Sequence, residues 1–242
     1  MLNKGERLDQ LLREDFEIIQ NDEVFSFSTD ALLLGEFVKV RNKDYVMDLC
    51  TGNGIIPLLL AHKSQSKIKA IEIQEALVDM AQRSVEYNQL ENQISIELLD
   101  LKKVTTVYPP STFDVVTVNP PYFKENQQMK HQKEAHKIAR HEIYCTLEDV
   151  VRAGKHLLKQ GGKLVMVHRA DRLMDVLSTF RQFNIEPKRL RMVYSTPLKK
   201  EAVTILVEGR SGGQSGLKIE QPFYIYNEAL EYSKEMKEVY YG

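Results

Sequence analysis

From Tyr45 onward, short runs rich in β-branched residues alternate with longer stretches whose apolar residues recur at helical spacing. That alternation predicts a parallel sheet with crossover helices. Strands are expected at Tyr45 to Cys50, Lys67 to Glu72, Ile94 to Leu99, Phe113 to Val118 and Lys163 to His168. Helices fit Ile55 to Lys63, Glu75 to Asn88, Leu147 to Lys159 and Arg172 to Asn184, the third stopped by a left-handed glycine at Gly161-Gly162. The connection from Asp100 to Thr112 contains Pro109-Pro110 and is expected to hold little regular helix. Beyond the fourth helix the alternation stops. Lys188 to Tyr194 and Ala202 to Glu208 read as two strands joined by a short turn, an antiparallel hairpin. The expected fold class is α/β: a Rossmann-like sheet of seven strands, mostly parallel, closed by a C-terminal antiparallel hairpin.

Three segments follow from this pattern. Residues 1–44 should form an N-terminal cap, with Ser28 as N-cap of a helix through Ala31 to Val38. Residues 45–210 should form the main domain, and residues 211–242, which open on the Gly/Ser-rich SGGQSG, an extension packed on it. There is no internal repeat or low-complexity tract.

A chain of 242 residues with 43% hydrophobic and 28% charged residues falls near the globular average. Its longest apolar run, around Ile55 to Ala61, is far shorter than the roughly 20 residues of a membrane span. The first residues lack a signal-peptide core. Cys50 and Cys145 have no C-x-x-C spacing, so neither a zinc site nor a disulfide framework is indicated, and a reducing cytoplasm fits. A net charge of −1 gives little overall attraction to a polyanion, so such a partner needs a local basic patch. Two stretches qualify: Arg181, Lys188, Arg189, Arg191, Lys199 and Lys200, and the Lys124 to His141 segment with Lys124, Arg140 and His141. Either stretch could equally be a solvated face.

Candidate chemistry begins where the first strand runs into Asp48-Leu49-Cys50-Thr51-Gly52-Asn53-Gly54-Ile55-Ile56-Pro57. Small residues at Thr51, Gly52, Asn53 and Gly54 let backbone approach a ligand. A dinucleotide-binding loop would want Gly or Ala where Pro57 stands. Asp48, at the strand's carboxyl end, disfavours a pyrophosphate and favours a cation. S-adenosylmethionine meets that requirement, carrying a sulfonium and an ammonium but no phosphate. Glu72, 18 residues after Gly54, ends the second strand where an acid can accept from both ribose hydroxyls. Ile73 lies beside it. Asp100 and Leu101, just past the third strand, are placed to meet the adenine ring.

Asn119-Pro120-Pro121-Tyr122 directly follows the fourth strand. Two prolines could simply end a strand, but that leaves Asn and Tyr unexplained. An aromatic amine or amide nitrogen is a poor nucleophile because its lone pair is delocalised. The Asn119 side-chain carbonyl and the Pro120 backbone carbonyl can each accept one N–H bond and localise that pair. The prolines stiffen the turn, and Tyr122 can stack on a flat substrate. No histidine is needed as general base.

These two motifs, with Phe25-Ser26-Phe27-Ser28-Thr29-Asp30-Ala31, Phe123, Ala139-Arg140-His141-Glu142 and Val167-His168-Arg169, resemble the bacterial tRNA(Val) adenine-N6-methyltransferase family over nearly the whole chain. The resemblance implies transfer of a methyl group from S-adenosylmethionine to the N6 amine of adenine 37 beside the anticodon, leaving S-adenosylhomocysteine. It implies substrate contacts from Tyr122, Phe123, Lys124, Arg140 and His141, with Arg189 and Arg191 farther out on the tRNA. Oligomeric state is left open. Related Asn-Pro-Pro-Tyr enzymes methylate guanine N2 in ribosomal RNA, adenine in DNA or glutamine in release factors. The first usually carry a duplicated N-terminal domain and the last a helical one, whereas about 44 residues precede the first strand here. A non-catalytic RNA-binding platform on the same fold is a further alternative, against which the intact Asn119 corner argues.

Overall fold

The computed structural model describes residues 2–11, 16–21, 28–121 and 145–241. Strand β3 (Tyr45–Leu49) lies inside the sheet, and Val46, Met47, Asp48 and Leu49 are fully buried. Burial on both faces is what a near-continuous apolar run requires of a parallel strand. Successive side chains serve opposite faces: Val46 and Val115 join one core, Met47 and Val116 the other. The other core strands are β4 (Lys67–Glu72), β5 (Ile94–Leu98), β6 (Phe113–Val118), β7 (Leu158–Arg169), β8 (Ile185–Tyr194) and β9 (Thr204–Ser211). Two-residue strands β10 (Lys218–Ile219) and β11 (Phe223–Tyr224) both pair with β8.

The sheet runs β10-β8-β9-β7-β6-β3-β4-β5. Helices α1 (Thr29–Phe37), α2 (Ile55–Lys63), α3 (Glu75–Tyr87) and α7 (Lys234–Tyr241) cover one face. The short α4 (Val104–Val107), α5 (Leu147–Leu157) and α6 (Leu173–Gln182) cover the other. From β3 the chain winds outward through β4 and β5, then returns to β6 on the opposite side of β3. That reversal opens a crevice at the carboxyl ends of β3 and β6, where ligands bind in open α/β sheets.

The predicted hairpin is present with a refinement. β9 inserts between β7 and β8 and is antiparallel to both, so β8 runs parallel to the core strands; residues 195–203 join β8 to β9. A correction concerns the third predicted helix. α5 ends at Leu157, and Leu158 already pairs with Phe113 as the first residue of β7. Gly161, at φ +75°, takes up the register shift between Phe113 and Val115 and does not terminate the helix.

The N-terminal segment contains a hairpin that the sequence pattern did not reveal, β1 (Glu6–Leu11) against β2 (Phe16–Asn21). It docks on α3: the Ile19 N–H donates to Ser84 Oγ at 3.0 Å, and Arg83 pairs with Glu6 at 2.6 Å. Ser28 occupies the N-cap position of α1 with extended backbone, but its side chain makes no capping bond. At the other end, α7 packs against α1, and Tyr226, Tyr232 and Tyr240 stack with ring centroids 5.3 Å apart at each step.

Candidate active site

The loop after β3 is held by its neighbours in the sheet. The Thr51 N–H donates to the Ile71 carbonyl at 3.0 Å, and the Gly52 N–H to Glu72 Oε2 at 3.0 Å. Gly54, at φ +88°, opens α2, and a Cβ there would lie 3.1 Å from Ala81 Cβ, so α3 packs against a position only glycine fits. Pro57 is buried in the first turn of α2, where its missing N–H costs no helical bond.

Asp48 is wholly buried beneath this loop. The Thr117 hydroxyl donates to Oδ1 from β6, and the Thr51 hydroxyl approaches the same carboxylate without completing a hydrogen bond. Burial pushes the Asp48 carboxyl up to about 7; the two hydroxyls oppose the shift and the charge of Glu72 adds to it. Asp48 Oδ2, Thr51 Oγ1 and Asn53 Oδ1 are buried without hydrogen-bond partners among the described residues. Three such atoms close together, at the end of β3 and in the loop after it, are a concentration of unpaired polarity, each costing about 1–3 kcal/mol, and of the three residues only Thr51 also lines the cavity above.

Above the loop lies a cavity of about 390 Å³, within the range of small-molecule sites. One wall is Cys50, Thr51, Gly52, Glu72 and Ile73. Another is Asn119, Pro120 and Pro121, which meet the first because Leu49 on β3 pairs with Val118 on β6. Adjacent strands are roughly 5 Å apart, so Cys50 and Asn119 leave the sheet side by side. The described lining carries two carboxylates, Asp30 and Glu72, and no lysine, arginine or histidine. Such a cavity favours a cation and offers a phosphate no counter-charge.

These features fit S-adenosylmethionine. Glu72 is pre-oriented for it. Besides the Gly52 N–H, it accepts from the backbone N–H groups of Ile73 at 3.0 Å and Gln74 at 3.1 Å, leaving part of its acceptor capacity for ribose hydroxyls. Leu101 lines the cavity, as expected for an apolar contact to adenine.

The family model of the methyltransferase small domain matches residues 15–186. The chain belongs to that family. A tRNA1(Val) (adenine(37)-N6)-methyltransferase of Trichodesmium erythraeum is 28% identical over 237 residues, covering 90% of this chain and 98% of its own. One of the same name from Bacteroides thetaiotaomicron is 30% identical over 183 residues, covering 69% and 75%. Among solved structures, a predicted O-methyltransferase from Agrobacterium tumefaciens superposes with a TM-score of 0.70 at 18% identity, over 87% of this chain and 95% of that one. At that identity the likeness concerns the fold. S-adenosylmethionine is the cofactor of this methyltransferase.

Not every residue expected at the site lines the cavity. The Asp100 side chain is not part of the cavity lining; it accepts from the Lys102 N–H at 2.9 Å and caps its own turn. Asp48, Asn53 and Gly54 lie beneath the wall, not in it. Asn53 is used structurally, its Nδ2 donating to the Ile19 carbonyl at 3.1 Å.

Arg189 and Arg191 are engaged within the chain. Arg189 pairs with Glu208 and Glu220, each at 2.7 Å, and lies over the Phe37 ring at 4.1 Å. Arg191 pairs with Glu235 and lies over Phe223. Both tie the C-terminal segment to the sheet. In the same basic stretch, Lys199 and Lys200 are exposed, in the loop at the carboxyl end of β8. Tyr122, Phe123, Lys124, Arg140 and His141 lie outside the described residues.

Residue-by-residue reading missed the α1 wall, Ser28, Asp30 and Ala31, although the Phe25 to Ala31 segment was among the resembling ones. Asp30 also receives the Thr204 hydroxyl at 3.2 Å, linking the cavity wall to β9. His168, at the end of β7, is mostly buried; desolvation, with help from Arg172, pushes it down to about 4, so it stays neutral.

Proposed function

We propose that this methyltransferase modifies the N6 amine of adenine 37 in the anticodon loop of tRNA1(Val), the reaction named for its relatives. One observation carries the reading: the cavity that suits a cationic, ribose-bearing ligand is walled on its far side by Asn119, Pro120 and Pro121. A flat amine can therefore meet the cofactor without crossing the molecule.

S-adenosylmethionine supplies an electrophilic methyl on a sulfonium. In this reading Glu72 holds the ribose hydroxyls, and Leu99, Leu101 and Ile73 pack against the adenine. Asp30 faces the ammonium. Asp48, beneath the wall, would add a negative potential above about pH 7, where it ionises, and low-dielectric surroundings would leave that potential weakly screened. Asn119 and Pro120 accept the two N–H bonds of the target amine and turn its lone pair toward the methyl, which is orientational and electrostatic catalysis. No residue must remove a proton before transfer, because the nitrogen becomes acidic once it gains the methyl. Tyr122 and Phe123 would stack on the base. Extruding the adenine costs a few kcal/mol, least in an unpaired loop. Lys124, Arg140 and His141, together with Lys199 and Lys200, which are exposed at the carboxyl end of β8, would hold the RNA backbone and make binding salt-sensitive.

The test is incubation with methyl-labelled cofactor and total tRNA from a strain lacking the enzyme, followed by nucleoside analysis. N6-methyladenosine at position 37 is expected. Label recovered only in protein or in a methylated guanine would replace the adenine assignment by one of the alternatives.

A further inference from the structure

Cys50 and Cys145 come from opposite sides of the chain to the same cavity: Cys50 directly after β3, Cys145 two residues before α5. Both are free and partly accessible, and both line that one cavity. Cys50 stands at φ +56°, a left-handed conformation that L residues adopt at a cost. Nothing in the methyl transfer described above uses either sulfur. A thiol pair exposed to one small cavity is also the arrangement in which a first oxidation is resolved by a second sulfur.

We propose that Cys50 and Cys145 form an oxidation site for small hydroperoxides, whose product is an intramolecular disulfide across the cofactor cavity that excludes S-adenosylmethionine. This rests on that cavity being the cofactor's. Cys145 is the attacking sulfur. The neighbouring Cys50 holds its thiol below the ordinary range, while the Cys50 thiol is itself pushed well up by its partner and by burial. The Cys145 thiolate attacks the peroxide oxygen, the O–O bond breaks, and a sulfenic acid forms with release of an alcohol or water. Cys50 sulfur then attacks the sulfenic sulfur, gives up its proton and expels water. Each sulfur loses one electron and the peroxide gains two. A bound cofactor fills the approach to both thiols, so occupancy and oxidation oppose each other.

The experiment uses the full chain. S-adenosylhomocysteine binding is measured by calorimetry on the reduced protein, on protein treated with stoichiometric hydrogen peroxide, and after reduction with dithiothreitol. Expected are a Cys50–Cys145 cross-linked peptide by mass spectrometry, affinity at least ~10-fold weaker, recovery on reduction, and slower oxidation when S-adenosylhomocysteine is present. Cys145→Ser should retain its own untreated affinity through peroxide. Reduced protein that fails to bind S-adenosylhomocysteine would remove the cofactor reading itself. Binding by the reduced form together with unchanged affinity in the cross-linked form, or oxidation that stops at sulfinic acid without a cross-link, would overturn the thiol-pair inference alone.

Discussion

The two ends of the sheet hold carboxylates in opposite circumstances. At the amino ends, Asp114 and Asp44 line a cavity of about 260 Å³ with cations at hand: Lys159 reaches both Asp114 oxygens at 2.9 Å, and Arg41 reaches Asp44 at 2.9 Å. The Tyr45 N–H also donates to Asp114, and these partners hold its carboxyl below the usual range against the effect of burial. At the carboxyl ends, burial pushes Asp48 up to about 7, with hydroxyls in place of a cation as its partners and Glu72 adding to the shift. The same residue type is thus paired with a cation at one end and left with an unpartnered oxygen at the other. The difference separates an acid paired with a cation from one buried without one.

The largest effect should come from the corner at the carboxyl end. Asn119→Ala removes one acceptor from the target amine, and kcat should fall about 10²–10³-fold. S-adenosylhomocysteine affinity should stay near that of the parent. Steady-state kinetics with calorimetry checks this, and equal turnover would break the assignment of function to this end.

Arg189→Ala should act on the fold and not on the chemistry. Its side chain is only 14% exposed and bridges two carboxylates, so removal leaves both uncompensated and should cost about 3 kcal/mol in denaturant unfolding. kcat/KM for tRNA, measured where the variant remains folded, should be unchanged. A selective rise in KM would return Arg189 to the RNA.

Asp48 gives the sharpest contrast in pH. Folded Asp48 keeps its proton up to about pH 7, whereas an unfolded Asp releases it near pH 4. Between these values the native state binds more protons, so this residue makes stability fall as pH rises through the window. Asp114 has the opposite sign. Its folded value is depressed, so its contribution is present above the unfolded value near pH 4 and is lost as pH falls through the folded one. Asp48→Asn should flatten the pH 4–7 decline of the apo protein and weaken cofactor binding about tenfold at pH 8, with little loss at pH 6. Asp114→Asn should cost about 1 kcal/mol at neutral pH, because the Lys159 pair is largely solvent-screened, and leave cofactor affinity alone. Parallel thermal melts and titrations from pH 5 to 8 compare the two.

Much of this was readable before the structure because it depends on local chemistry. The apolar run of β3, the glycine loop that follows and the Asn-Pro-Pro turn after β6 are contiguous in the chain, and each has a conformational reason that tertiary context does not alter. The N-terminal hairpin escaped notice because β1 and β2 are short and hold their places through bonds to α3. The α1 wall escaped because Asp30 reaches the cavity only after the N-terminal segment folds over the sheet.

The chain's sequence alone determined the alternation of strands and helices from β3 to β9, the small-residue loop and the stiff acceptor corner, since propensity, periodicity and proline geometry act over a few residues. Tertiary structure alone decided which charges are spoken for. Arg189 and Lys199 look alike in the sequence, and only packing hands one a pair of carboxylates and leaves the other in water. The partners of Asp48 and Asp114 were settled in the same way, because pairing is a contact between residues far apart along the chain.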